Sequence, residues 1–182
     1  MRANLLKARF NGLTLFALAL AAVLGGGCGN SAEVSNGPPI GARDPVKPQP
    51  KLQTMKLWVG PEEMNVELAL SPEQQRIGMM LRTNLDENAG MLFPLPVTQR
   101  ASFWMKNCPL PLSAAYIDPE GLIVEVRELK AQDTNAVVAA SSNIRFVLET
   151  SHGWFERHHV RPGMLVRSER GTLMQTFFGK AP

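Results

Sequence analysis

Strict alternation of apolar and polar residues begins at Thr54, and it sets the fold class of the chain. Segments 55–59 and 64–70 both alternate, and residues 60–63 (GPEE) form a turn signal between them. Side chains of a β-strand point alternately to opposite faces, so this period of two predicts a hairpin with one buried face. Further strands are predicted at residues 90–94, 102–106, 112–118, 122–129, 143–149 and 164–167.

Only short helices interrupt these strands. Ser71-Pro72-Glu73-Gln74 predicts a helix start, because Ser71 can cap, Pro72 suits the first helical position and Gln74 can complete a capping box. A second helical turn is expected within residues 152–159. The sequence therefore predicts an α+β domain over residues 54–182. It is mainly antiparallel β, a small, partly closed barrel-like sheet with one or two short helices.

The first 27 residues have the composition of an export signal. A basic start precedes the apolar run 13–24 (LTLFALALAAVL), which ends at three glycines. Twelve residues in a helix rise about 18 Å, well short of the hydrocarbon core of a bilayer. Residues 1–27 are therefore interpreted as a signal peptide, which places the protein in the bacterial cell envelope.

The glycines precede Cys28 in an arrangement that resembles a bacterial lipobox, in which the signal is cut before a cysteine that is then acylated. The usual pattern has Leu three places before the cysteine, whereas Gly25 stands there and Leu24 lies one place further back. Cys28 is the predicted lipidation site, and its acyl chains would make the membrane a partner. Cleavage without lipidation and an ordinary buried cysteine are the alternatives.

Residues 28–53 are predicted to form a disordered tether that begins at the lipidated Cys28. Segment 29–53 contains five Pro and three Gly but hardly any large apolar side chain. Such a segment cannot bury enough surface to offset its ordering entropy. As a flexible coil it would span about 25 to 30 Å. The domain would thus stand off the membrane surface.

The charge distribution argues against nucleic acid as a partner. The whole chain carries +3, but residues 1–27 alone contribute +3 and residues 28–53 contribute +1. Residues 54–182 hold 13 basic and 14 acidic side chains, a net charge of −1. Binding a phosphate backbone needs clustered Lys and Arg, so the predicted domain lacks the charge for it.

Three segments resemble the bacterial and archaeal family called domain of unknown function 192. They are residues 76–82 (RIGMMLR) leading to 90–93 (GMLF), residues 102–112 (SFWMKNCPLPL), and residues 147–149 (VLE) with Gly153 and Pro162-Gly163. The resemblance covers about residues 64 to 168 and implies a small, β-rich, frequently exported domain of no established activity. The chain departs from the family at Cys108, usually Thr, and at Ser113, usually Asp.

The densest cluster of aromatic and polar side chains is Trp104-Met105-Lys106-Asn107. On a strand, Trp104 and Lys106 would share one face and offer an aromatic plate beside an ammonium group. The candidate ligand-binding residues are Arg82, Trp104, Lys106, Asn107 and Glu149. The alternative is structural: Trp104 and Met105 pack in the core, and Lys106 pairs with a carboxylate such as Glu149, which must be neutralised if it is buried.

Metal and nucleophile chemistry have weaker support. Met79, Met80, Met91, Met105 and Cys108 supply soft sulfur ligands suited to Cu(I), but methionine is also a core filler. His152, His158 and His159 lack a standard zinc spacing. No metal, cofactor or catalytic residue is therefore assigned, and Cys108, which has no reactive-thiol signature, is expected to be buried.

These features favour an exported, membrane-anchored binding or accessory module whose ligand is an unknown small molecule or envelope protein. Two alternatives remain open. One is an envelope enzyme that uses Glu149, a histidine or Cys108, and a cleft holding two of these groups would favour it. The other is a purely structural envelope interaction protein without a pocket near Trp104.

Overall fold

The structure is a computed structural model that describes residues 47–179. The expected signal peptide, Cys28 and residues 29–46 of the expected tether lie outside the described residues. The described strands are β1 Thr54–Val59, β2 Glu62–Leu68, β3 Ala89–Gln99, β4 Ser102–Phe103, β5 Leu112–Ile117, β6 Ile123–Leu129, β7 Val137–Val138, β8 Ile144–Ser151, β9 Val166–Ser168 and β10 Gly171–Thr172. The described helices are α1 Pro72–Ile77, α2 Trp154–Arg157 and α3 Leu173–Phe178.

Eight of the described strands form one sheet in the order β10-β9-β1-β2-β3-β8-β5-β6. Neighbouring strands are antiparallel except β2 and β3, which run parallel across the connection that contains α1. The remaining pair, β4 and β7, forms a small separate sheet. The mainly antiparallel α+β fold expected from the sequence is confirmed.

The sheet curls so that the start of β6 meets the segment before β9. Leu122 forms an antiparallel bridge with Leu165, and the N–H of Val166 donates to the carbonyl of Gly121 at 2.7 Å. A Cβ at Gly121 would lie 2.8 Å from the carbonyl oxygen of Val166, so only glycine allows this approach. The expected partly closed, barrel-like sheet is thus observed as a half-barrel.

Both faces of the central strands are buried, and this decides where the site can form. In β8, Phe146 and Leu148 belong to one core cluster, whereas Val147 belongs to the second cluster on the opposite face. Met91 and Phe93 of β3 also belong to the second cluster. Residue 149 therefore points into the second cluster, together with Val147.

Helix α1 begins as the sequence predicts. The hydroxyl of Ser71 accepts the N–H of Gln74, and the Gln74 side chain accepts the N–H of Ser71, which completes a capping box. Strand β4 ends at Phe103, so the strand predicted through residue 106 is too long, because residues 105–108 turn.

Helix α3 was missed by the sequence analysis, although its start carries the same kind of signal. Thr172 and Gln175 form a second capping box, and Gly179 ends the helix in the left-handed region. The described residues therefore contain three short helices where one or two were expected. None of the helices between residues 47 and 179 is long and apolar enough to cross a membrane.

Residues 47–53, which the sequence assigns to the tether, make contacts with the domain. The side-chain amide of Gln49 donates to the carbonyl of Gly78 at 2.8 Å. The N–H of Leu52 donates to the carboxylate of Glu67 at 2.7 Å. The contacts of the folded domain thus begin several residues before β1.

Candidate functional site: a buried carboxyl cleft

Glu149 is a buried carboxyl group in the middle of the sheet. It lies on β8, opposite Met91 of β3 on one side and Ala114 of β5 on the other. Only 4% of the residue is exposed. Among residues 47–179 its side chain has neither a hydrogen-bond nor an ion-pair partner. A buried polar group without a partner is costly to keep, so its presence requires an explanation.

Burial raises the pKa of Glu149 to about 8. Desolvation disfavours the charged carboxylate, and it is the cause of the raised pKa. The group is therefore mostly protonated at neutral pH, and it can donate a hydrogen bond as well as accept one.

Two turns cover Glu149, and a hydrogen bond joins them. The first turn follows α1, where Gly78 has φ +49° and ψ −127°, a combination open to glycine. The second turn spans residues 105–108 and places Asn107 at φ +58°, a left-handed conformation that asparagine tolerates. The N–H of Leu81 in the first turn donates to the carbonyl of Asn107 in the second at 2.7 Å. Sequence segments 76–82 and 102–112 are thereby brought together.

Beneath these turns lies a cleft with an inner cavity of about 40 Å³. The Glu149 carboxyl and the Cys108 thiol are the two buried acidic groups in its lining, and we call this part of the cleft its floor. The other lining residues are Gln75, Arg76, Ile77, Gly78, Met79, Met80, Phe93, Phe103, Trp104, Met105 and Lys106. We refer to this set as the Glu149 cleft.

Trp104 and Lys106 flank the cleft and face each other. The Nζ atom of Lys106 lies 5.5 Å from the centre of the Trp104 ring system, within the range of a cation–π interaction. Met105 between them is buried. The two side chains share a side as the sequence predicts, but through a turn and not along a strand.

Arg82 lies outside the Glu149 cleft. Its guanidinium forms a two-pronged ion pair with Glu67, with N–O distances of 2.5 and 2.8 Å. Burial by itself would raise the pKa of Glu67, but the bonds from Arg82 and from the Leu52 N–H outweigh it and hold the pKa below its usual value. The structure therefore gathers Trp104, Lys106, Asn107 and Glu149 in one region and places Arg82 against a different carboxylate.

Cys108 is free and buried, as expected. Burial, and secondarily the charge of Glu149, raises the pKa of its thiol to about 11. Its Sγ lies 3.5 Å from the carbonyl oxygen of Leu110. At pH 7 only about one thiol in ten thousand would be ionised, so this cysteine is a poor nucleophile.

The histidines lie apart from the cleft. His158 stacks on Trp154 with ring centroids 4.4 Å apart, and its two ring nitrogens face Glu62 and Glu87 at 3.2 and 3.1 Å. The two nitrogens lie on different edges of the ring, so these carboxylates cannot converge with it on one ion. Across the described part of the chain, no group of three His, Cys, Asp or Glu side chains is placed to hold a metal.

The sequence analysis missed the role of the first turn. Gly78 was not proposed as a site residue, although its backbone conformation is what turns Met79 and Met80 over the cleft. Phe103 was also not proposed, yet it lines the cleft and packs edge-on against Phe93 at 5.1 Å. Gly78 followed by Met79 and Met80 was the available sequence signal for a turn whose apolar residues pack against the core.

Fold and site together define a small half-barrel domain with a carboxyl group buried under two turns. The chain belongs to the domain of unknown function 192 family, described as an uncharacterized ACR, which it matches over residues 55–168. The expected resemblance is thereby confirmed. No curated protein matches the chain.

Two crystal structures have a similar fold. One is a protein from Sinorhizobium meliloti 1021, provisionally described as a transcription regulator, with 25% identity and a TM-score of 0.62 over 66% of this chain and 97% of that one. The other is a protein of unknown function from Novosphingobium aromaticivorans DSM 12444, with 27% identity and a TM-score of 0.61 over 70% and 94% of the two chains.

Ser113, where the family resemblance implies an Asp, is hydrogen-bonded within the domain. Its hydroxyl donates to the carboxylate of Glu128, at 2.6 and 2.7 Å from the two oxygens, and it accepts the N–H of Gly153 at 2.7 Å. A carboxylate from the neighbouring strand β6 thus stands close to where the family usually has its Asp. Ser113 is fully buried, and these bonds satisfy its hydroxyl.

Proposed function

We propose that this protein is an exported, lipid-anchored binding module of the bacterial cell envelope, and that it holds a small ligand in the Glu149 cleft. One observation carries the proposal: a buried carboxyl, 4% exposed and without a partner among residues 47–179, lines a cleft flanked by Trp104 and Lys106. A strongly perturbed titratable group in a cleft is typical of functional sites.

A purely structural origin explains Glu149 poorly. An apolar side chain of similar size at residue 149 would pack in the second core cluster without a desolvation penalty. The chain keeps a carboxyl there and builds two turns over it, one of which needs the backbone freedom of Gly78. A ligand that bonds to the carboxyl would offset the cost, which favours binding over a structural role.

The proposed location in the cell envelope is argued from the signal-like sequence of residues 1–27 and from Cys28. The apolar run of residues 13–24 and the glycines before Cys28 favour export and acylation. Several acyl chains hold a protein stably at a membrane, and residues 29–46 supply the length that lets the domain stand away from it. The mature protein should then carry a diacyl or triacyl mass on Cys28, whereas an unmodified N-terminus elsewhere would contradict anchoring.

An enzyme is the second candidate, because Cys108 and Glu149 line the same cleft. The raised pKa of the Cys108 thiol argues against nucleophilic catalysis, and no hydrogen bond joins the two groups in the described residues. A DNA-binding role, suggested by the description of the Sinorhizobium protein, is not part of the proposal, since residues 54–182 carry a net charge of −1.

Native mass spectrometry of the full chain purified from its own membranes tests the binding function. We expect an added mass on the wild-type protein that Trp104→Ala and Lys106→Ala lose without a change in thermal unfolding. Trp58→Ala is the matched control, because the Arg167 guanidinium lies 5.2 Å from the Trp58 ring in a similar pair far along the sheet.

Three outcomes would contradict the proposal. A wild-type protein without an added mass has no retained ligand. An added mass that survives both substitutions is bound elsewhere. Unfolding by several kcal/mol on Trp104→Ala, as core truncation causes, would make the aromatic cluster structural.

A further inference from the structure

Sulfur atoms dominate the donor groups at the floor of the Glu149 cleft. Met79, Met80 and Met105 line it together with the Cys108 thiol, and all four residues are buried. Glu149 is the one oxygen acid that lines it. A fourth methionine, Met91, lies directly opposite Glu149 on β3 and belongs to the same core cluster. Thioether and thiol sulfur are soft ligands.

The size of the cavity limits what can reach these groups. Its volume of about 40 Å³ holds about three water-sized spheres, since one water needs roughly 10–15 Å³. The body of an organic ligand would have to stay at the mouth, near Trp104 and Lys106. A single metal ion fits at the floor.

The ligands that each metal ion prefers, and the charge of the ion, limit which ions the cleft can bind. Calcium and magnesium take six or more oxygen ligands, whereas the cleft lining offers a single carboxylate. Zinc prefers four N, O or S ligands from His, Cys, Asp or Glu, and Cys108 and Glu149 are the two such residues in the lining. A monovalent soft ion needs few ligands and accepts thioether sulfur.

We propose that the floor of the Glu149 cleft binds a soft monovalent metal ion, Cu(I) or its analogue Ag(I), through Cys108 and the neighbouring methionine thioethers. This inference rests on the ligand site of the proposed function and names what that site takes. The ion forms a bond to Cys108 Sγ, the thiol proton leaves to solvent, and no electron is transferred. The added positive charge is neutralised by the thiolate, and Glu149 lies beside it as a second acceptor.

Titration of the full chain with Ag(I) tests the site, with Cys28→Ser as the background because Cys28 is the one other thiol in the sequence. We expect one ion per chain by native mass spectrometry and a new sulfur-to-metal absorption in the ultraviolet. Cys108→Ser should abolish that absorption. Met105→Leu should keep the fold and weaken binding by about tenfold or more.

Met64→Leu is the matched control, because Met64 is equally buried but belongs to the other core cluster. Its affinity for Ag(I) should equal that of the background chain. Failure to bind one ion, or equal affinities for Met105→Leu and Met64→Leu, would overturn the metal site. If Cys108→Ser fails to fold, the comparison of Ag(I) affinities between Met105→Leu and Met64→Leu decides whether the metal site exists.

The two proposals fail in distinguishable ways. Loss of the Trp104-dependent mass on a chain that still binds one Ag(I) overturns an organic ligand at the mouth and leaves the metal site standing. A Trp104-dependent mass on a chain that does not bind Ag(I) overturns the metal site and leaves the binding function standing.

Discussion

Two buried carboxyl groups on the same sheet are treated in opposite ways. Glu67 on β2 is 8% exposed, and it is neutralised by Arg82 and by the Leu52 N–H. Glu149 on β8 is 4% exposed, and within residues 47–179 it has no such partner. The pKa of Glu67 is accordingly lowered, whereas that of Glu149 is raised to about 8.

The contrast separates a structural charge from a candidate binding group. Glu67 is fully satisfied by groups of its own chain, so it has nothing to offer a ligand. Glu149 retains its bonding capacity and faces a cavity. Both carboxyls are largely shielded from solvent, Glu149 more deeply, and the bonds from Arg82 and the Leu52 N–H are what hold the pKa of Glu67 down against its burial.

Breaking the Arg82–Glu67 ion pair should have the largest effect on stability. Arg82→Ala leaves Glu67 buried without its cation, and we expect a loss of about 3–5 kcal/mol in the free energy of unfolding, measured with urea. Arg127→Ala is the control, since Arg127 is largely exposed in its pair with Glu125 and should cost at most about 1 kcal/mol. Equal losses in the two variants would remove the distinction drawn for Glu67.

Neutralising Glu149, which lacks a partner, should increase the free energy of unfolding, whereas breaking the Arg82–Glu67 pair should decrease it. The pKa of Glu149 is higher in the folded state than in the unfolded chain, so the folded state binds more protons between about pH 4.5 and 8. The stability of the wild type should therefore fall as the pH rises through this window, by up to about 1.4 kcal/mol per pH unit, and level off above pH 8.

Glu149→Gln removes this titration. The variant should be more stable than the wild type at pH 8, and the difference should shrink towards pH 5. Urea unfolding at several pH values measures it, and Glu120→Gln, at an exposed turn position, should leave the slope unchanged. A wild-type curve without the fall would mean that Glu149 is not buried as a neutral acid.

The turn that covers Glu149 should contribute a smaller amount. Asn107 has φ +58°, and an alanine there would carry the left-handed backbone at a cost of about 1 kcal/mol. Asn107→Gly relieves that strain, so it should unfold at a higher temperature than Asn107→Ala. If the two variants unfold at the same temperature, the backbone of residue 107 is not strained.

The sequence was sufficient to predict most of the strands, but it did not predict which charged side chains pair with each other. Alternation predicted β1 and β2 because the two faces of each strand differ in burial, and the Ser71 capping box is a local signal. The pairing of Arg82 with Glu67 depends on the parallel contact of β2 with β3, which no local pattern reveals. The sequence analysis proposed Glu149 as a candidate ligand-binding residue, but only the fold shows that it has no partner among residues 47–179.

The same limit explains the error in the strand predicted at residues 102–106. Trp104 and Lys106 alternate with Met105 as they would on a strand, and Met105 is indeed the buried one. The left-handed Asn107 and the hydrogen bond from Leu81 make the segment a turn. Alternation over a few residues gives burial correctly in both geometries, so it could not distinguish them.

The smallest expected effect lies at the thiol next to Glu149. The charge of Glu149 is the second cause, after burial, of the raised pKa of Cys108. In the Cys28→Ser background, alkylation of Cys108 by iodoacetamide at pH 9 should be slow, and Glu149→Gln should accelerate it a few-fold because the thiolate is no longer repelled. Glu128→Gln, which removes a carboxylate that binds Ser113 outside the cleft, is the control and should leave the rate unchanged. An equal acceleration in both variants would point to local opening of the fold, and then Glu149 and Cys108 would not act as one coupled pair.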